Sequence, residues 1–184
     1  YASESDLIIF SDAPKNEASA VDVLKQLINI ASGETKPFIF MRGNHEIRGA
    51  YSIGMRSLFD HINGTTYGSF NIGDTRFVML DCGEDKPDST WVYYGLNDFD
   101  QFREDQALFL RKEFASKEFK QAKRRVLVHH VPIYASREGH YNPCFEKWGD
   151  ILANAPFDIC INAHRHRFAY YPKKEVGNNF PIIV

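Results

Sequence analysis

The chain has 184 residues, of which 43% are hydrophobic and 25% are charged, and its formal net charge is −2. This length is sufficient for one substantial hydrophobic core, so we expect a single domain over residues 1–184. The near-neutral charge argues against nucleic acid as a partner and against intrinsic disorder. The longest apolar runs are too short to span a membrane.

The first part of the chain alternates predicted strands and helices. Residues 6–10, DLIIF, predict a buried strand, and the spacing of Val, Leu and Ile predicts a helix over 20–31. A second buried strand is predicted over 36–41 and a second helix over 49–62. Residues 66–81 predict two strands joined by a tight Gly-Asp turn.

The region after these strands begins with a loop over 82–99, rich in Gly, Asp and Pro. Its aromatic residues are expected to pack the loop onto the domain, and stacking on a substrate is the alternative. They are Trp91, Tyr93 and Tyr94. The clearest predicted helix covers 98–120, and its apolar face includes Phe102, Leu108, Leu110 and Phe114.

The last third predicts a strand over 124–130, a helix over 144–155, a strand over 158–163 and two short strands within 168–184. Alternating helices and near-continuous apolar strands indicate a layered α/β fold. The three cysteines match no CxxC pattern, so we expect small buried residues and leave one disulfide open. They are Cys82, Cys144 and Cys160.

Polar clusters follow the predicted strands at the point where each strand ends. Five of the seven histidines lie in three such clusters. A single histidine at a strand end is more often a hydrogen-bonded structural residue, but the joint occurrence favours a shared metal site, since ligands bind at the carboxyl ends of strands. The three clusters are Arg42-Gly43-Asn44-His45-Glu46, His129-His130-Val131-Pro132 and Ala163-His164-Arg165-His166.

The residue types in these clusters restrict the metal. Imidazoles combined with a carboxylate and an amide oxygen suit Zn, Mn or Fe and not Ca. Without cysteine ligands, a closed structural zinc site is not expected. Such a large set of nitrogen and oxygen ligands suits two ions, and two adjacent ions can promote in-line displacement at phosphorus.

Three motifs, "RGNHE", "HHVP" and "AHRH", resemble those of the calcineurin-like metallophosphoesterases, a family that includes purple acid phosphatases, nucleotidases and phosphodiesterases. They occur in the family's order, with 85 residues from His45 to His130 and 34 from His130 to His164. The resemblance covers most of the chain. It implies a four-layer fold in which a mixed β-sandwich is flanked by helices.

The resemblance also implies a ligand for each metal. Asn44, His130 and His164 are similar to ligands of the second metal, and His166 to a ligand of the first. Asp12, which follows the first predicted strand, is similar to the carboxylate that bridges the two ions. His129 is then a neighbour of the site and not a ligand.

Further roles follow from the same resemblance. His45 is similar to the residue that protonates the leaving group without binding metal, and Glu46 to a residue that orients His45 or Asn44. Arginines near the motifs are candidates for phosphate contact, although an ordinary ion pair is an equal alternative for each. These are Arg42, Arg48 and Arg165.

The chain also departs from the family pattern. Family members begin with a strand that ends in DxH, and no DxH precedes residues 6–10, so we expect that strand, and the last strands of the fold, to lie outside this chain. Ser11 stands where the family has Gly. Purple acid phosphatases carry Tyr three residues after the bridging Asp, whereas Lys15 stands here, which predicts no tyrosinate-bound iron.

The resemblance therefore predicts a phosphoesterase that uses two divalent or mixed-valence ions, Mn, Zn or Fe. A metal-bound hydroxide would hydrolyse phosphomonoesters or small phosphodiesters. Two alternatives remain open: a non-catalytic domain that binds phosphate or metal, and a nuclease of the same family. Export from the cytoplasm is an expectation from the resemblance alone.

Overall fold

The computed structural model describes residues 8–11, 22, 25–30, 35–36, 38–47, 52, 62–134 and 141–184. Its strands are β1 Ile8–Ser11, β2 Phe38–Met41, β3 Gly68–Ile72, β4 Thr75–Leu80, β5 Arg124–His129, β6 Ile159–Ile161, β7 Tyr170–Tyr171 and β8 Ile182–Ile183. Its helices are α1 Phe99–Ala115, α2 Lys117–Gln121 and α3 Pro143–Leu152, with 3-10 turns at Ile62–Gly64 and Trp91–Tyr93. Residues 25–30 are also helical.

The strands form two sheets. β1 pairs with β2 in parallel, and the other six strands lie in the order β3-β4-β5-β6-β8-β7. The four central strands are parallel, whereas the outer strands β3 and β7 pair antiparallel to their neighbours. Leu80 lies opposite His129, so β4 and β5 end side by side. The parallel pairing therefore brings the loops after these strands to one edge of the sheet.

The two faces of the six-stranded sheet are covered by different layers. Val78, Leu80 and Leu127 pack with Leu110 of α1 and Trp148 of α3 in one buried cluster. The intervening residues Met79 and Val128 point to the other face and pack against Met41 of β2. This alternation along the strands places the sheet between the helices and β2. The predicted layered α/β sandwich is thus confirmed.

The predicted helix over 98–120 is two helices that meet at Ser116. Ser116 has extended backbone angles, φ −65° and ψ 155°, and its side chain accepts a hydrogen bond from the Phe119 amide. A serine that caps the second helix therefore ends the first. Leu108 is 57% exposed, so its predicted place on the apolar face is wrong. The buried residues of α1 are Arg103, Gln106, Ala107, Leu110 and Glu113.

Most other predicted elements are present within one to three residues of their expected ends. The Gly-Asp turn joins β3 and β4, with Gly73 in the left-handed region at φ 56°. The three cysteines are free and buried, so none forms the disulfide that the sequence left open. The predicted helix over 49–62 lies outside the described residues except for 52 and 62.

The loop after β4 differs from its prediction. Trp91 is 77% exposed and Tyr94 is 79% exposed, so the expectation that these two rings pack onto the domain is wrong, whereas Tyr93 is half-buried. Trp91 begins a 3-10 turn that contains no buried residue, and Tyr94 caps the end of that turn. Among the described helices, none combines the length and the apolar character that a bilayer crossing requires.

Candidate metal centre

Three loops meet at the carboxyl edge of the sheets, and each carries one residue of a compact group. Asn44 lies three residues after β2, His130 directly after β5, and His164 three residues after β6. The amide of Ala163 donates a hydrogen bond to the carbonyl of His130 at 3.0 Å, which ties the last two loops together. The parallel strands therefore deliver all three side chains to one point.

The polar atoms of these three side chains converge closely. Nε2 of His130 lies 3.1 Å from Oδ1 of Asn44. Nδ1 of His164 lies 3.2 Å from the same oxygen and 3.3 Å from Nε2 of His130. Asn44 and His130 are buried, and His164 is half-buried. We refer to Asn44, His130 and His164 as the ligand triad.

The geometry of the ligand triad fits a metal ion. An ion with bonds of about 2.1 Å holds neighbouring ligand atoms about 3.0 Å apart in octahedral and about 3.4 Å apart in tetrahedral geometry. All three observed separations fall in that interval. Each atom can present a lone pair, and a cation between them satisfies all three at once. The triad could therefore bind one ion.

The backbone after β6 is strained where its histidines lie. His164 has φ 72° and His166 has φ 53°, both in the left-handed region that residues with a Cβ seldom occupy. Such conformations cost on the order of 1 kcal/mol or more each, and they concentrate at functional sites. The hydrogen bond from Ala163 to His130 is one of the contacts that hold this loop in place.

Two acidic residues lie close to the ligand triad and were not predicted from the sequence. Nδ2 of Asn44 donates a hydrogen bond to Oε1 of Glu84 at 3.2 Å. Oδ2 of Asp85 lies 3.6 Å from Nε2 of His164. Both residues are in the loop after β4, and Glu84 is only 1% exposed. The available sequence signal was a pair of adjacent acidic residues in the loop after a buried strand, because β4 ends at the same edge as the strands that precede the other three loops.

Comparison with known proteins identifies the family. The model of the calcineurin-like phosphoesterases matches residues 3–168. The chain belongs to this family. A similar solved structure is the purple acid phosphatase PPD1 from seeds of yellow lupin (Lupinus luteus), at 17% identity and a TM-score of 0.63. The match covers 98% of this chain and 36% of that one, and at this identity it shows the fold. No curated protein sequence matches the chain.

The two adjacent histidines of this member of the calcineurin-like phosphoesterase family face opposite ways. Whereas His130 lies in the ligand triad, His129 points into the core, where Nε2 lies 3.3 Å from Sγ of Cys160. Asn162 donates to the His129 carbonyl at 2.9 Å. Burial lowers the pKa of His129 to about 4, so this imidazole is neutral at pH 7. The prediction that His129 is a neighbour and not a ligand agrees with this placement.

Arg42 and Glu46, on either side of the GNH motif, have structural partners. Nε of Arg42 donates to Oδ2 of the fully buried Asp81 at 2.7 Å, and its guanidinium lies over the ring of Phe102. The Gly43 amide donates to Oε2 of Glu46 at 2.5 Å. Arg42 thus forms the ion pair that was the alternative to phosphate contact, and Glu46 fixes the turn that carries Asn44.

The other predicted site residues are less closely associated with the triad. His45 is half-buried beside Asn44, and His166 is exposed. In the part of the chain that the structure describes, no three His, Cys, Asp or Glu side chains form a metal-binding group, so His166 does not complete one with His130 and His164. Asp12 and Arg48, like Lys15, lie outside the described residues.

A cavity of about 620 Å³ opens beside the ligand triad. His164 and Glu84 lie in its wall, next to Val131, Pro132 and Pro143. Arg165 lines it as well, and its guanidinium donates to the Tyr171 hydroxyl at 3.3 Å. The volume of the cavity is typical of a small-molecule site. Its wall includes parts of both loops that follow β4 and β5, so these loops border the space next to the triad.

Proposed function

We propose that the chain supplies the catalytic domain of a metal-dependent phosphoesterase that hydrolyses phosphomonoesters or small phosphodiesters. The observation that carries the proposal is the convergence of Asn44, His130 and His164 at mutual distances of 3.1 to 3.3 Å. Membership of the calcineurin-like phosphoesterase family supports the same reaction class. The proposed ions are Mn, Zn or Fe, because the triad combines imidazole nitrogens with an amide oxygen.

The residues of the chain have separate roles in this proposal. The ligand triad binds one ion, and His166 and Asp12 contribute to a second ion that the triad does not hold. When bound, such ions lower the pKa of water and neutralise charge on phosphoryl oxygens. His45 donates a proton to the leaving-group oxygen, because it is adjacent to Asn44 and is half-buried at the same edge.

The leaving group occupies the cavity of about 620 Å³ beside His164. Val131, Pro132 and Pro143 offer it apolar contact, and the basic side chains Lys86, Arg165 and Arg167 lie at the same wall. The mixed wall suits a small organic group. The nuclease alternative is disfavoured by the formal net charge of −2.

Turnover of two chromogenic esters tests this function. The protein loaded with Mn²⁺ is expected to hydrolyse p-nitrophenyl phosphate or bis(p-nitrophenyl) phosphate, and chelation of the metal should abolish turnover. In His45→Ala, loss of a proton donor should lower kcat about 10²- to 10⁴-fold while metal content stays close to that of the wild type. Arg111→Ala, an exposed substitution on α1, is the control and should match the wild type.

Two results would contradict the proposal. A protein that binds metal yet hydrolyses neither ester, nor any of a wider panel of small phosphoesters, would instead be a non-catalytic metal- or phosphate-binding domain. Loss of metal from His45→Ala equal to that from His164→Ala would show that His45 is a ligand and not the proton donor.

A further inference from the structure

The amide of Asn44 has two different faces, and only one of them can bind a metal. Its Oδ1 faces the two imidazole nitrogens of the ligand triad. Its Nδ2 faces the carboxylate of Glu84 at 3.2 Å. A carboxylate accepts hydrogen bonds and an amide nitrogen only donates them, so the carboxylate determines which end of the amide points toward it. The opposite end, the oxygen, must then point into the triad.

We propose that Glu84 is a positioning residue that holds the Asn44 amide with its oxygen toward the metal. This inference rests on the metal site proposed above, and it concerns a residue outside the three family motifs. Without Glu84, the amide could turn its NH₂ group toward the imidazoles, and an NH₂ group is not a metal ligand. Partners that orient ligands in this way commonly contribute 10- to 100-fold in metal affinity, as an order of magnitude.

Glu84 is itself held rigidly by helix α1. The guanidinium of Arg103, fully buried, donates from Nε to the Cys82 carbonyl at 3.1 Å and from Nη2 to the Glu84 carbonyl at 2.6 Å. Gln106 bonds both the amide and the carbonyl of Asp81, at 2.8 and 2.7 Å. These bonds fix the backbone of residues 81–84. The amide of Asp85 donates to Oε1 of Glu84 at 3.0 Å, so the carboxylate is held by its own loop as well as by Asn44.

The next residue of the same loop acts on a second member of the triad. Asp85 lies 3.6 Å from Nε2 of His164, on the side of the ring away from Nδ1, which faces Asn44. A negative charge there favours the tautomer with the proton on Nε2, which leaves the Nδ1 lone pair for a metal. Two consecutive carboxylates therefore face the outer sides of two ligands, which supports a positioning role for this loop.

Metal affinity of two Glu84 variants tests the proposal. Glu84→Met keeps the length of the side chain and removes the acceptor, and we expect it to bind Mn²⁺ about 10- to 100-fold more weakly by calorimetric titration. Glu84→Gln retains an oxygen that can accept from Nδ2 of Asn44, and its affinity should stay within about fivefold of the wild type because a neutral hydrogen bond still orients the amide. Circular dichroism and thermal unfolding establish that each variant is folded.

A control variant shows whether weaker Mn²⁺ binding requires the loss of Glu84 or follows from the loss of any buried carboxylate. Glu113 is also buried, at 6% exposed, but its carboxylate pairs with Arg76 at the opposite edge of the sheet. Glu113→Met should lose stability and keep its Mn²⁺ affinity. A folded Glu84→Met that binds Mn²⁺ within about twofold of the wild type would overturn the proposal. So would an equal loss in Glu84→Met and Glu84→Gln, since charge alone would then account for the effect.

These measurements do not depend on turnover. If the protein binds Mn²⁺ through the triad but hydrolyses no phosphoester, the proposed function fails while the affinities still report on Glu84. If the Glu84 variants bind as the wild type does and turnover is intact, the positioning role fails and the proposed function stands.

Discussion

Two buried carboxylates lie at opposite edges of the central sheet, and their surroundings differ in one respect. At the amino-terminal end of β4, Glu113 accepts hydrogen bonds from Nε and Nη2 of Arg76 at 2.7 and 2.9 Å, and from Ser69. At the carboxyl-terminal end, Glu84 accepts a bond from Asn44, while Lys86 lies 3.9 Å away and is half-exposed. The nearest partner of Glu113 is the guanidinium of Arg76, whereas Glu84 contacts the amide of a residue that we propose binds metal.

The difference separates stability from function in this fold. A bidentate arginine neutralises Glu113 within the protein, so that pair only connects α1 to the β3-β4 hairpin. Glu84 lies instead against Asn44, and a cation bound at the proposed metal site would add a compensating charge near its carboxylate. We therefore expect Glu113 to contribute to stability alone and Glu84 to contribute to the proposed metal site.

The largest effect on stability is expected at Glu113. Glu113→Met removes one partner of a buried ion pair and leaves Arg76 without its carboxylate, which should lower the free energy of unfolding by about 3 kcal/mol. Urea denaturation monitored by circular dichroism measures the loss. A loss below about 1 kcal/mol would show that the pair of Glu113 and Arg76 contributes no more than a solvent-exposed ion pair.

A pH effect of intermediate size is expected from His129. Its pKa is lowered to about 4 by burial, against an ordinary value of 6.5, so the unfolded chain binds a proton where the native protein does not. Stability is therefore complete above the ordinary pKa and falls as the pH decreases toward 4. Between about pH 7.5 and pH 5 the contribution lost is about 2 kcal/mol.

His129→Gln removes this titration and should flatten the pH dependence relative to the wild type, although its stability near neutral pH will be lower. Denaturant unfolding of both proteins at the two pH values gives the difference directly. Parallel pH profiles for the wild type and His129→Gln would show that the imidazole is not held neutral by the core.

The smallest effect is expected at Ser116, on the side of the sheet away from the site. Ser116→Ala removes the side-chain oxygen that accepts from the Phe119 amide at 3.1 Å, which should cost about 1 kcal/mol. Ser116→Asp restores an acceptor at the cap and should recover most of that loss. A thermal unfolding midpoint for Ser116→Ala equal to that of the wild type would indicate that α1 and α2 are separated for another reason.

The sequence was sufficient to predict the layers and the meeting of three strand-end clusters, because apolar periodicity and parallel pairing determine which residues share an edge. The resemblance to the family also distinguished His130 from His129, a distinction that the apolar pattern alone does not make. Two features that it missed share a cause. Arg103 and Glu84 are buried charged residues, whereas a prediction from sequence pattern places charged residues at the solvent-exposed surface.

Local chemistry explains the other differences. The break at Ser116 was visible as a serine two residues before Glu118, a capping pattern inside an otherwise helical run. Leu108 is exposed because Arg103 and Gln106 occupy the buried face of α1, where they hold the loop after β4. Polar residues thus occupy positions on α1 where periodicity predicts apolar ones, because they bond to the loop after β4. Periodicity alone cannot predict this.

The most direct test of the account is a Mn²⁺ titration of the wild type, His164→Ala and the control Arg165→Ala. His164→Ala removes one of three converging ligands and should weaken binding of the ion by about 100-fold or more. Arg165→Ala, at the neighbouring position, should bind within about threefold of the wild type, because it lines the cavity and does not belong to the triad. Equal affinity in His164→Ala and the wild type would contradict the proposal that Asn44, His130 and His164 form one metal site.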